Sequence, residues 1–152
     1  MKILLTGCCG FIGFNFVNSL VKTNKKIKIV GIDNLNNYYS VGLKKARLKI
    51  LLKSKNFTFQ KMDLENLKLL NNLFKKNKFN CIFHLAAQAG VRYSIKNPKK
   101  YIDSNIIGFF NIIELARKTN IKKIFYASSS SVYGDSKKFP LNEKSNNIRI
   151  NI

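Results

Sequence analysis

The chain has 152 residues, 45% of them hydrophobic, which is room for one domain with a sizeable core. Lys and Arg number 28 against 7 acidic residues, a formal charge of +21, but the cations are scattered through KTNKKIK, LKKARLK, LFKKNK and ARKTNIKK and read as solvated helix faces, so a nucleic-acid partner is not expected. No apolar run reaches the roughly eighteen residues of a membrane span, and Cys8, Cys9 and Cys81 lack the spacing of a metal site or a disulfide framework.

In chain order, Ile3, Leu4 and Leu5 form a short apolar run that predicts a strand covered on both faces. The chain enters this strand with no signal-peptide pattern, so a cytoplasmic location with reduced thiols is the expectation. Gly7, Gly10 and Gly13 follow at intervals of three, and Phe14, Val17, Leu20 and Val21 then recur at helical spacing. Gly7 would allow the strand-to-helix turn, Gly10 the approach of a pyrophosphate to the backbone, and Gly13 the packing of the helix on the sheet. The phosphates of a dinucleotide would sit on the helix N-terminus.

Ile27, Ile29, Val30 and Ile32 predict a second strand, which Asp33 ends twenty residues after Gly13. That is where a dinucleotide-binding turn places an acid on the adenosine ribose. A carboxylate there repels a 2′-phosphate, and its neighbour is Asn34 rather than Arg, so NAD is expected over NADP. A helix with Leu43, Ala46, Arg47 and Ile50 on one face comes next, then a third strand over Asn56 to Gln60. Asp63 reads as the N-cap of a helix carrying Leu64, Leu67, Leu70, Leu73 and Phe74, with adenine contact as a further role. Phe79 to Leu85 predicts a fourth strand, within which His84 reads as a satisfied core residue rather than a base. Asn97-Pro98 opens a long helix with Tyr101, Ile102, Ile106, Phe109, Ile112, Ile113 and Ala116, and Ile121 to Ala127 forms a fifth strand.

Strands and helices alternating in this way predict an α/β fold with a doubly wound parallel sheet, Rossmann-like, in the order 3-2-1-4-5. Ligands of such sheets lie beyond the carboxyl ends of the strands, so Gly10, Asp33, Ala86 and Ser129 are expected at one cleft.

TGCCGFIG, GIDNLNNYY, HLAAQAGVRYS, YIDSNIIG and YASSSSVYG, taken together and in this order, resemble the extended short-chain dehydrogenase/reductase family of NAD-dependent nucleotide-sugar epimerases and dehydratases. AAQAGVRYS with GIDNLNNYY is most similar to its UDP-glucuronate 4-epimerase branch. The resemblance implies an NAD-binding domain over residues 1–152 with cofactor contacts at Gly7, Gly10, Phe11, Ile12, Gly13, Asp33, Asn34, Asp63, Leu64, Leu85, Ala86, Ala87, Gln88 and Ser104. It implies Ser129 as the catalytic hydroxyl; the residues leave Ser128 or Ser130 able to share the substrate contact, and a strand-end hydroxyl capping the following turn is the other reading of Ser129. It also implies a UDP-uronate substrate and a homodimer for the complete protein.

The family's Tyr-x-x-x-Lys is expected on a later helix, near or past Ile152. Tyr133-Gly-Asp-Ser-Lys137 matches it as a string, but Gly134, Asp135 and Ser136 spell a turn, where the pair needs one helix face. The implied reaction moves a hydride from C4 of the sugar to nicotinamide and returns it to the other face of the 4-keto intermediate. A uronate must keep its carboxylate out of line with that ketone, and Arg92 is the candidate for part of the clamp, with a solvent-facing helix-start residue as its other reading. A decarboxylase or dehydratase on the same scaffold and a non-catalytic NAD-binding module are the alternatives.

Overall fold

The computed structural model describes residues 1–134 and 139–143. Five parallel strands, β1 (Lys2–Thr6), β2 (Lys28–Asp33), β3 (Phe57–Lys61), β4 (Cys81–His84) and β5 (Ile124–Tyr126), form one sheet in the order β3-β2-β1-β4-β5. The helices are α1 (Phe11–Thr23), α2 (Val41–Leu51), α3 (Leu67–Lys76), α4 (Val91–Lys96), α5 (Pro98–Tyr101) and α6 (Gly108–Lys118), with a π-helical segment over Ile102–Ile107. The expected doubly wound sheet and strand order are those observed.

Alternation along β1 explains the two cores. Leu4 turns to one face, where it joins Val30, Ile82 and the apolar sides of α3 and α6 at Leu70, Leu73, Phe74, Ile112 and Leu115. Ile3 and Leu5 turn to the other, beside Ile29, Cys81, Val17 of α1 and Leu51 of α2. A strand buried on both faces needs an unbroken apolar run, which β1 has.

Register decides where the site lies. Gln60, Ile32, Thr6, His84 and Tyr126 form one row across all five strands. The residues that follow the central members of this row, Gly7, Asp33 and Leu85, therefore emerge side by side at the carboxyl edge.

Several local expectations are corrected. Strand β3 runs one residue later than expected, and β4 and β5 are shorter than the apolar runs that announced them. Helix α3 is capped by Asn66, whose side chain accepts the Leu69 N–H at 3.1 Å, while Asp63 lies three residues earlier and bonds elsewhere. Helix α2 presents a different face, since Leu43, Ala46 and Ile50 are exposed and the buried residues are Lys44 and Leu51. Lys44 hides its stem and sends its ammonium to the Asn36 carbonyl and side-chain oxygens at 2.9 and 2.8 Å. The long helix after Asn97 is interrupted by the π segment, and α4 precedes it as a separate short helix. Among the described residues, no helix is long and apolar enough to cross a membrane.

Candidate dinucleotide-binding cleft

The turn after β1 is fixed by backbone. The Gly7 N–H donates to Ile32 O at 2.8 Å and the Gly10 N–H to Gly7 O at 3.1 Å, and Gly10 ends the turn as the N-cap of α1. Gly10 has no side chain to cap the helix, and the first N–H groups of a helix have no intrahelical acceptor. Those of Phe11, Ile12 and Gly13 are therefore offered to an anion. Gly7 has φ +72°, and a Cβ on it would lie 2.8 Å from the Ala86 nitrogen, so the ends of β1 and β4 meet there without room for a side chain. A Cβ on Gly13 would overlap the Gly7 carbonyl oxygen, which is why α1 can start so close beneath the turn.

Thr6 joins this turn to β4. Its hydroxyl accepts the Leu85 and Ala86 N–H groups, both at 3.1 Å, and lies 3.0 Å from His84 Nδ1. With two donors already on the oxygen, the hydroxyl proton goes to Nδ1, which leaves the ring proton on Nε2. His84 is buried against Phe109, and burial lowers its pKa to about 4. It is the satisfied, neutral core residue that the sequence suggested.

Asp33 closes the opposite side. Its Oδ2 accepts the Cys9 N–H at 3.0 Å and its Oδ1 the Leu35 N–H at 2.9 Å, so the carboxylate is held rigidly against the glycine turn. Asn34 Nδ2 donates to Asp63 Oδ1 at 2.7 Å and ties the ends of β2 and β3 together. On the β4 side, Asn105 grips the backbone of Gln88 at both ends, accepting its N–H at 2.8 Å and donating to its carbonyl at 3.0 Å.

The result is a cleft of about 330 Å³ whose walls include Gly7, Gly10, Asp33, Asn34, Asp63, Leu64, Leu85, Ala86, Ala87, Gln88 and Ser104. Phe11 and Ile12 stand exposed at the start of α1, and Gly13 is buried below them. Asn36, Tyr38, Tyr39, Lys44, Lys100 and Asp103 also line the cleft and were not singled out in the sequence. Thr6 and Asn105 act one layer behind the wall; a polar residue ending an apolar strand, and one beside Ser104 in an apolar helix, were the available signals.

The remaining site residues lie apart from that lining. Arg92 is exposed on α4. Ser129 follows β5 and caps a 3-10 turn over Ser130–Tyr133, accepting the Ser131 N–H at 3.2 Å. Tyr133 sits on that turn and Gly134 follows with φ +59°, while Lys137 lies outside the described residues.

A doubly wound parallel sheet with a cleft at the topological switch between β1 and β4 is the architecture of the Rossmann-like, dinucleotide-binding class. The family model described as GDP-mannose 4,6 dehydratase matches residues 4–148, and the chain belongs to this family of NAD-dependent nucleotide-sugar epimerases and dehydratases. Protein CapI of Staphylococcus aureus is 50% identical over 96% of this chain and 43% of its own length. The UDP-glucuronate 4-epimerase of Thermodesulfobacterium geofontis is 45% identical over 86% of this chain and 40% of its own. The crystal structure of UDP-glucuronic acid 4-epimerase from Bacillus cereus, in complex with UDP-glucuronic acid and NAD, superposes with a TM-score of 0.81 at 33% identity, covering 97% of this chain and 46% of that one. The chain thus spans about two-fifths of the length of these curated relatives.

Proposed function

We propose that this chain is the NAD-binding part of a nucleotide-sugar 4-epimerase that interconverts UDP-glucuronate and UDP-galacturonate. The observation that carries the dinucleotide reading is the convergence of the uncapped glycine turn, the doubly anchored Asp33 and the Leu85–Gln88 wall on one cleft. The cleft suits NAD, because its helix N-terminus offers N–H groups to a diphosphate and its fixed carboxylate offers acceptors to ribose hydroxyls. Both lysines that line the cleft are already engaged, Lys44 with Asn36 and Lys100 with the Tyr93 hydroxyl, which favours NAD over a cofactor with a 2′-phosphate.

NAD, when bound, supplies reversible hydride chemistry at C4 of the sugar. The chain's own residues bind and orient. The turn holds the diphosphate, Asp33 fixes the adenosine ribose, and Asp63 with Leu64 borders the adenine. Ser129 positions the sugar hydroxyl with Ser130 beside it, and Arg92 grips the uronate carboxylate. The proton-transfer Tyr-x-x-x-Lys pair is supplied by sequence other than Tyr133 and Lys137, so the 152 residues alone bind the cofactor without turnover. The reading includes a cytoplasmic protein with three free thiols and a homodimer formed through the exposed Ile102, Ile106, Phe110 and Ile113 of the π segment and α6.

Relatives named UDP-glucuronate 4-epimerase support the substrate. The description of the family model favours a 4,6-dehydratase as the second reading. The two differ at C6, where a dehydratase needs a hydroxyl to eliminate and a uronate carries a carboxylate. The test is to incubate the protein that carries this chain with NAD and either UDP-glucuronate or GDP-mannose and follow products by chromatography and mass. Conversion to UDP-galacturonate at unchanged mass is expected. Loss of water from GDP-mannose, with UDP-glucuronate untouched, would assign the dehydratase, and loss of carbon dioxide from UDP-glucuronate a decarboxylase.

A further inference from the structure

Cys8 and Cys9 sit side by side in the glycine turn, both fully buried, with their sulfur atoms 3.8 Å apart. Asp33 is distant in sequence but reaches the same point, because β1 and β2 are paired and its Oδ2 accepts the Cys9 N–H. One carboxylate oxygen and the two sulfurs lie within 4.8 Å of one another. We propose that Cys8, Cys9 and Asp33 form a binding site for a thiophilic divalent cation of the zinc and cadmium class, and that its occupancy withdraws Asp33 from the dinucleotide.

The geometry fits such an ion. Two sulfurs bonded at about 2.3 Å to one tetrahedral zinc stand about 3.8 Å apart, the separation of this pair. An ion among three atoms so spaced lies within about 2.6 Å of each, so shifts of a few tenths of an ångström complete two Zn–S bonds and one Zn–O bond. The donor set also selects the ion, since thiolates favour zinc-like metals whereas magnesium and calcium take oxygen. Three protein donors leave the fourth tetrahedral position of the ion open to a further ligand. No other group of three such side chains stands this close among the described residues.

Binding needs no oxidant or reductant. The hydrogen bond to Cys9 and burial hold the Cys8 thiol well above the usual thiol range, which suits the apolar cluster around it. The entering cation forms two metal–sulfur bonds and releases one proton from each thiol, its two positive charges replacing those of the departing protons. The same carboxylate cannot then offer that oxygen to a ribose. The ion site stands without the dinucleotide reading; the competition rests on it.

The test is a cadmium titration of the chain with a thiol-free reductant, following the sulfur-to-cadmium charge-transfer band and proton release. One ion per chain and two protons per ion are expected. Cys81→Ser is expected to bind as the unaltered chain does, Cys9→Ser at least tenfold more weakly with about half the band, and Asp33→Asn several-fold more weakly. The same band in the Cys8→Ser, Cys9→Ser double variant, or no band in an unaltered chain whose circular dichroism shows it folded, overturns the site. Should the serine variants unfold, cadmium NMR of the unaltered chain decides, with two-sulfur coordination expected and an all-oxygen environment contradicting it.

Saturating NAD is expected to weaken cadmium binding at least tenfold, and cadmium to weaken NAD by the same factor. Unchanged cadmium affinity in a chain that binds NAD by calorimetry overturns the competition. A chain that takes cadmium at Cys8 and Cys9 but no NAD supports the ion site and refutes the dinucleotide reading.

Discussion

At the scale of single residues, Thr6 carries more than its place at a strand end suggests. Its hydroxyl orders Leu85, Ala86 and His84 at once. Thr6→Val keeps the shape but leaves the Ala86 N–H and the His84 Nδ1 unpartnered, a cost of about 1–3 kcal/mol that urea unfolding measures. Unchanged stability would mean that these bonds do not hold the wall. The pH behaviour of His84 follows from its burial. Its pKa falls to about 4 in the folded chain from an ordinary value of 6.5, so the unfolded chain takes up a proton first as pH drops. The stabilisation is full above pH 6.5 and is lost as pH falls towards 4, on the order of 2–3 kcal/mol. The difference in stability between the natural chain and His84→Gln is expected to shrink across that window, and parallel profiles would contradict it. Asp33 was legible as a wall residue because its place depends on spacing from a glycine turn. Its backbone partners were not, because hydrogen bonds between Cys9, Leu35 and a distant carboxylate leave no periodic trace.

At the scale of elements, sequence patterning reports burial well where an element has one packed face. Helices α1 and α3 were readable for that reason, and strands β1, β2 and β4 because, covered on both faces, they are apolar runs. Helix α2 was not, because its packed side is formed by the stem of Lys44, Leu51 and Arg47, whose guanidinium lies over Phe14 and donates to Cys9 O. The π segment was hidden for a different cause. One extra residue in a turn, marked by the Gly108 N–H donating to Asp103 O, shifts every later side chain around the axis. A single 3.6-residue period cannot describe both sides of it. That shift brings Ser104 to the cleft and Asn105 to the Gln88 backbone. Asn105→Ala removes both of those bonds, so amide exchange at Gln88 is expected to accelerate at least tenfold and stability to fall by about 1–3 kcal/mol. Slow exchange at Gln88 in this variant would show that the π turn does not fix the wall.

At the scale of the whole molecule, the sheet places its chemistry at one edge and leaves apolar surface elsewhere. Ile106 and Phe110 are 63% and 64% exposed on successive turns, beside Ile102 and Ile113, a stripe suited to a second helical face. On the proposed homodimer, Phe110→Lys is expected to lower the sedimentation mass of the protein that carries this chain from dimer to monomer, and an unshifted mass would refute the stripe as its interface. The strand order and cleft position were legible because right-handed crossovers and alternating elements leave few topologies. Which hydroxyls and carboxylates share a wall depends on register, which appears only when strand ends align. The central claim, an NAD site at that aligned edge, is tested most directly by calorimetric titration of the folded chain with NAD and NADP, beside Asp33→Asn. The account predicts one NAD per chain, weaker NADP, and a loss of about 1–3 kcal/mol of NAD binding in the variant; no NAD binding by a folded chain, or NADP bound more tightly than NAD, would contradict it.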